Sequence, residues 1–278
     1  MQSRGVKTIR PIFLFLVLSV ITFVVDFPIV VLIINSFKST GEILMSTAFF
    51  PKHFTLVNYF SMFHNTKMPL FIANSLVVTT IGTTLSILVS ALAGFVISRV
   101  QFVMVKGYSR FLLMIQMFPL ILSLIPLFIL FKNLSIINTY FSVIIVYTSM
   151  SLPFATWMFK GFFDSIPKEL EEAGWIDGCT RTQTFFKIIL PICGSGIIAV
   201  AIYSFLLCWN EYMIANIFLR KVELMTIPVG IQMYIQQFTT DWGGMFAAAT
   251  TAMIPAFIIF LFFQKYITSG VTAGSVKG

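Results

Sequence analysis

Six stretches of this chain are each long and apolar enough to cross a lipid bilayer: residues 12–36, 71–98, 111–131, 140–163, 191–215 and 246–266. A membrane helix needs roughly 20 mostly apolar residues. A spanning barrel would instead show ~10-residue segments of alternating polarity, and no such alternation occurs. The composition supports helices in lipid. The 278 residues are 58% hydrophobic and 10% charged, where soluble domains carry about 25% charged residues. That excludes a soluble enzyme and a disordered chain, because neither tolerates so much apolar surface. Three cysteines are too few for a disulfide scaffold. The expected fold is all-α: a polytopic membrane bundle with six transmembrane helices. Its partner is therefore membrane lipid and not nucleic acid, despite a net charge of +8.

The basic residues orient the bundle. With both termini in the cytoplasm, twelve Lys and Arg fall on inner segments and six on outer ones, the bias that holds loops inside. This divides the chain into a cytoplasmic N-terminus (1–11), a membrane domain (12–266) and a cytoplasmic tail (267–278). The first span follows a basic head with no small-residue cleavage pattern, so it reads as an anchor that stays. Residues 37–70 and 216–245 form long outer segments, and residues 164–190 form the only sizeable inner loop. Prolines 28, 119, 126, 153 and 255 fall inside the spans. Bundle neighbours can re-satisfy the carbonyls they free.

Some chemistry is missing. No G-x-x-x-x-G-K-[ST] loop occurs, nor any Gly-Lys dipeptide, so ATP has no phosphate cradle of that kind. His53 and His64 share one outer loop and Cys179, Cys193 and Cys208 are scattered, which makes no zinc cluster and no Ser/His/Asp arrangement. No cofactor is expected on the chain, and it does not read as an enzyme.

Within the inner loop, residues 169–177 concentrate four of the ten acids, Glu169, Glu171, Glu172 and Asp177. Ser165 is a candidate N-cap with Pro167 in the first turn, and the three glutamates suit a helix N-terminus. Leu170, Ala173 and Gly174 share a face at i, i+3, i+4. Asp177-Gly178 ends the helix, with glycine free to turn left-handed. Thr180-x-x-Gln183 resembles a capping box for a second helix carrying Phe185, Phe186, Ile188 and Ile189. Leu190-Pro191 opens the next span. The loop is expected to be a rigid two-helix knob; the bland alternative is a solvated tether between spans four and five.

Glu172-Ala173-Gly174, three residues, Gly178, nine residues, then Ile188-x-Leu190-Pro191 resembles the EAA loop of permease subunits in binding-protein-dependent ABC importers. The family pattern is E-A-A-x3-G-x9-I-x-L-P. Gly174 stands where that pattern has alanine, a departure expected to loosen the first helix. Ser36-Phe37-Lys38, Phe54–Tyr59, Asn74-Ser75-Leu76, Leu152-Pro153-Phe154, Trp209–Tyr212, Thr226–Gly230 and the tail Ser269–Gly278 are together similar to the carbohydrate branch, in particular its maltose-type "G" subunits.

The resemblance implies a bacterial or archaeal cytoplasmic membrane and a division of labour. A second homologous permease, two ATP-binding cassette subunits and an extracytoplasmic solute-binding protein would be the partners, and a sugar or oligosaccharide the substrate. Coupling to the ATPase would fall to Glu169, Glu171, Glu172, Ala173, Gly174, Asp177, Gly178, Phe185, Ile188, Leu190 and Pro191. The tail, through Gly270, Gly274, Lys277 and Gly278, would reach the ATPase interface. Polar residues within spans are candidates for the translocation path: Asn74, Gln116, Asn210 and Glu211. Asp26 either pairs within the bundle or marks an early exit of the chain. The alternatives are a permease for a non-sugar solute and an ion-coupled secondary transporter, which usually shows inverted repeats and helices interrupted at the midplane; neither feature is evident here.

Overall fold

The computed structural model describes the backbone of residues 4–235 and 240–275, with side chains over 13–235 and 240–264. Fourteen α-helices follow one another among these residues: α1 (Arg4–Ser36), α2 (Thr40–Met45), α3 (Val57–Asn65), α4 (Met68–Arg99), α5 (Val103–Gln116), α6 (Leu120–Asn133), α7 (Tyr140–Asp164), α8 (Glu169–Ile176), α9 (Arg181–Thr184), α10 (Leu190–Ile192), α11 (Gly194–Trp209), α12 (Met213–Phe218), α13 (Ile227–Gln232) and α14 (Trp242–Ser275). A π-helical turn, Phe185–Ile189, joins α9 to α10. The β-structure described is one bridge, Ile235 to Thr240. The all-α expectation holds.

The span count needs correction. Four helical stretches are long and apolar enough to cross alone: Phe13–Ser36, Met68–Arg99, Tyr140–Asp164 and Trp242–Gln264. The expected spans 111–131 and 191–215 are not single helices. α5 and α6 meet at 99°, and Arg181–Ile192 meets Gly194–Trp209 at 79°. Six spans result only if each bent pair counts as one. The first break lies at Pro119, which has no N–H to continue the ladder and sits extended at φ −64, ψ 115. Pro126, Pro153 and Pro255 lie within continuous helices. The second break lies at Cys193, just before Gly194. α11 then ends at Trp209, short of residue 215, and α12 begins four residues on, at Met213.

Contacts divide the chain into two compact units. The first comprises residues 1–68 and 231–253. Its most apolar α1 window buries none of its side chains, and α1 runs on through Asp26 and Pro28 to Ser36. The helix therefore does not end at Asp26, whose side chain is exposed. Residues 37–68 are more ordered than turn signals alone suggest. Ser39 caps α2. The Asn58 amide donates to the Ser36 and Lys38 carbonyls at 2.8 and 2.7 Å. Lys38, expected on an outer loop, is buried and donates to the Ala48 carbonyl at 2.7 Å. Thr40 donates to Asp241 at 2.9 Å and ties this segment to the start of α14.

The second unit comprises residues 69–230 and 254–278, and α7 is its centre. Gly82, Ser86, Ser90, Gly94 and Ser98 recur every fourth residue along α4, a spacing that puts them on one helix face. That face lies on α7. A Cβ on Gly94 would stand 2.7 Å from the Phe159 Cβ and 2.9 Å from the Thr156 carbonyl, so only glycine permits this approach. Ser151 donates to Ser86 at 2.5 Å, and Ser98 to Asp164 at 2.6 Å. One apolar cluster, including Val78, Val143, Tyr147, Ile214 and Phe218, fills one end of the unit. A second, with Phe159, Phe163, Phe185, Ile189 and Val200, fills the end that carries residues 164–190.

Candidate functional site

Residues 164–190 form the two-helix knob expected, with its N-terminus redrawn. Ser165 is not the cap of α8: it is the C-cap of α7, and its hydroxyl donates back to the Phe162 carbonyl at 2.6 Å. α8 starts at Glu169 behind Lys168, which supplies no side-chain cap. Three first-turn carboxylates, Glu169, Glu171 and Glu172, interact favourably with the positive helix end instead. At the other end Gly178 adopts φ +83. The Gly178 N–H donates to the Trp175 carbonyl at 3.1 Å and the Cys179 N–H to the Gly174 carbonyl at 2.9 Å. Those two bonds define a Schellman stop. Thr180 and Gln183 form a reciprocal capping box on α9. The second helix is not a regular α-helix, because it widens into the π-turn at Phe185–Ile189.

The knob is fastened to the bundle by a residue whose sequence position hid its role. Arg99, the last residue of α4, directs its Nε at the Glu171 carboxylate. Its Nη2 donates to the Ile166 carbonyl at 3.0 Å and its Nη1 to the Ser98 hydroxyl at 3.1 Å. The Arg99 and Glu171 side chains are 12% and 7% exposed. Lys160 and Asp164 extend the network at 2.5 Å, and Ser98 bridges into it. In sequence Arg99 is one of twelve basic residues on inner segments; only α4 ending against α8 makes it a clamp.

The other expected coupling residues divide by face. Gly174 is buried and α8 runs unbroken through it, contrary to the expected loosening. A Cβ there would stand 2.7 Å from Ile188 Cδ1, so its absence lets the two halves of the knob close together. Phe185 is buried with Phe95 and Phe163, ring centroids at 4.8 and 6.0 Å. Ile188 and Leu190 are half-buried, and Pro191 is exposed. Glu169, Glu172, Ala173, Asp177 and Gly178 are exposed. Beside them Ile176 is 86% exposed, and Leu170 and Trp175 also lie open, with the Arg181 guanidinium 5.7 Å from the Trp175 ring. A helix rooted by a charge pair thus presents an apolar tip with acids around it, and nothing among the described residues covers that tip.

The candidate path residues do not act alike. Asn74 is buried; its amide donates to the Glu223 and Met225 carbonyls at 2.9 and 2.8 Å and accepts from Tyr140 at 2.7 Å. It pins residues 223–225 to α4. Glu211 accepts from the Ile214 and Ala215 N–H groups at 2.8 and 3.1 Å and so caps α12. The Asn210 amide donates to the Leu206 carbonyl at 2.9 Å. Gln116, at the end of α5, lines a cavity of ≈ 530 Å³ with Ser123, Ser149 and Met150. Gly270 and Gly274 lie in α14, which continues to Ser275; Lys277 and Gly278 lie outside the described residues. No group of three or more His, Cys, Asp or Glu suited to a metal occurs among the described residues.

A membrane bundle with two sharply bent spans and a clamped, apolar-tipped knob between them defines a multi-pass permease subunit. Residues 86–273 match the model of the binding-protein-dependent transport system inner membrane component, and the chain belongs to that family. It is 35% identical over 91% of its length, and 89% of the other's, to the sulfoquinovosyl glycerol transport system permease protein SmoH of Agrobacterium fabrum. It is 32% identical to the trehalose/maltose transport system permease protein MalG of Thermococcus litoralis, over 91% of each chain. The fold is shared with a chain of a bacterial ABC transporter that imports the acidic polysaccharide alginate: TM-score 0.82, 19% identity, 96% of this chain and 99% of that one.

Proposed function

We propose that this permease forms half of the translocation pathway for a sugar or oligosaccharide. The class of solute is inferred from relatives that carry sulfoquinovosyl glycerol, and trehalose or maltose. A solute-binding protein delivers the cargo, a second homologous permease completes the path, and two ATPase subunits supply the energy. The observation that carries this reading is the knob: α8 is anchored through Arg99–Glu171 while Ile176 stands 86% exposed. An anchored helix moves as one body with α4 when something grips its tip, which is how closure of an ATPase pair would swing the spans. Asp26 supports the second permease. An acid in the middle of a lipid-facing span costs about 2.5–3.5 kcal/mol, and a neighbouring chain covering α1 removes that cost. The C-terminal segment from Gly270 onward is assigned to the ATPase side, with both termini cytoplasmic.

Topology and substrate class are tested together in cells. In a background lacking Cys179, Cys193 and Cys208, Ser165→Cys should resist an impermeant thiol reagent and Asn65→Cys should react. Uptake of labelled oligosaccharide should require the binding protein and ATP. Labelling of position 165 from outside would refute the orientation, and uptake of an amino acid in place of the sugar would refute the substrate class.

A further inference from the structure

We propose that the knob end of this permease carries a binding site for a membrane-resident anionic phospholipid, formed by α4, α5 and α7. Two cavities meet there. The first, ≈ 500 Å³, is lined by side chains from Val89 to Ile97 on α4 and from Met104 to Tyr108 on α5. Its walls are apolar, and Val89, Leu92 and Val96 are each nearly half exposed. The helical rise from Val89 to Ile97 gives it a length of about 12 Å, a trough for part of an acyl chain. The second cavity, ≈ 300 Å³, shares Ile97 and Val105 with the first and adds Ser98, Gln101, Lys106, Ser109, Lys160 and Asp164. The apolar trough therefore runs directly into a polar basin at the end of α4.

The charge in the basin favours a phosphate. Asp164 is already met by Lys160 at 2.5 Å and by the Ser98 hydroxyl at 2.6 Å. The Lys106 ammonium has no ion-pair partner among the described residues, and Arg110 follows one turn along α5. Lys106 is thus the cation left lining the basin once Lys160 has neutralised the one carboxylate; Arg110 lies on the same helix outside that lining. Hydrophobic trough and basic basin in series match the two ends of an anionic lipid and neither end of a sugar. Basic pockets between membrane helices bind anionic headgroups by this complementarity. The trough opens outward from a chain whose surroundings are lipid, so the occupant is a lipid rather than a soluble anion. The basin borders the Arg99–Glu171 clamp and shares Ser98, Lys160 and Asp164 with its network, whereas Lys106 and the apolar trough lie outside it; the proposal stands or falls independently of the transport reading.

The test is native mass spectrometry of the purified transporter complex, stripped with excess detergent and titrated with phosphatidylglycerol or phosphatidylcholine of identical acyl chains. Phosphatidylglycerol should be retained in preference. Lys106→Gln, on an exposed side chain that threatens no packing, should lower its retention about fivefold, the worth of one basic residue beside a headgroup. Ala93→Phe, which fills the trough, should displace it too, and Lys132→Gln on α6 should change nothing. Equal retention of the two lipids, or unchanged retention in Lys106→Gln and Ala93→Phe, overturns the proposal. So does competition by glycerol phosphate as strong as by lipid, which would indicate a soluble anion. A Met104→Cys cross-link to the second permease overturns it as well, because protein would then fill the trough.

Discussion

Arg99→Ala is expected to release the knob and lower solute uptake at least tenfold while leaving the bundle folded. The guanidinium holds the Glu171 carboxylate, the Ile166 carbonyl and the Ser98 hydroxyl at once. Removing it strands a carboxylate that is 7% exposed. Breaking a buried pair by deleting one partner costs about 3–5 kcal/mol. Unfolding the bundle is not the cheapest escape. α8 can instead lift away, so that Glu171 regains water and the rest of α4 stays on α7. Trypsin should then cut faster at Lys168 and Arg181, while the thermal midpoint moves little. Arg99→Ala/Glu171→Ala should transport better than the two single losses predict, because the stranded charge is gone; contacting residues couple in this way. An Arg99→Ala variant that imports at the wild-type rate would show that the pair is not the anchor.

Gly178→Val is expected to lower transport severely at normal insertion levels. Gly178 sits at φ +83, a region that costs other residues roughly 1–2 kcal/mol, most for β-branched ones. Two hydrogen bonds of the helix stop depend on that turn. A Cβ there meets nothing within 4 Å, so side-chain volume is irrelevant and only backbone preference matters. Replacements should therefore rank by tolerance for the left-handed region: Gly178→Asn mildest, Gly178→Ala intermediate, Gly178→Val worst. Asparagine is larger than alanine, so an order by size would separate a packing effect from a backbone one. The readouts are uptake, ATPase co-purification and the amount of subunit in the membrane.

Local rules made much of this legible. Apolar length predicted four of the six spans as single helices, and the capping box at Thr180–Gln183 and the left-handed stop at Gly178 follow from residue chemistry two to four positions away. The breaks at Pro119 and Cys193 were less accessible. A proline in a span either bends it or is absorbed by neighbours, and Pro126 and Pro119 look alike until the packing is known. Position, not composition, also decided Asn74 and Glu211. Both are polar residues near span ends, and both are used within the chain, as a pin and as a cap. Arg99 and Glu171 lie 72 residues apart, so no local pattern pairs them. The Gly82–Ser98 stripe was readable, since small residues every fourth position mark a close helix contact in lipid; it shows where α4 meets a neighbour without saying which.

The central claim is that the tip of α8 is gripped by the ATPase. Its most direct test is a disulfide or bifunctional cross-link from Ile176→Cys in the assembled transporter, in a background free of the native cysteines, with ATP present and absent. The account predicts a cross-link to an ATPase subunit that forms with the complex intact and, once formed, arrests uptake. A freely labelled cysteine at 176 in a complex that still hydrolyses ATP and imports solute would contradict it.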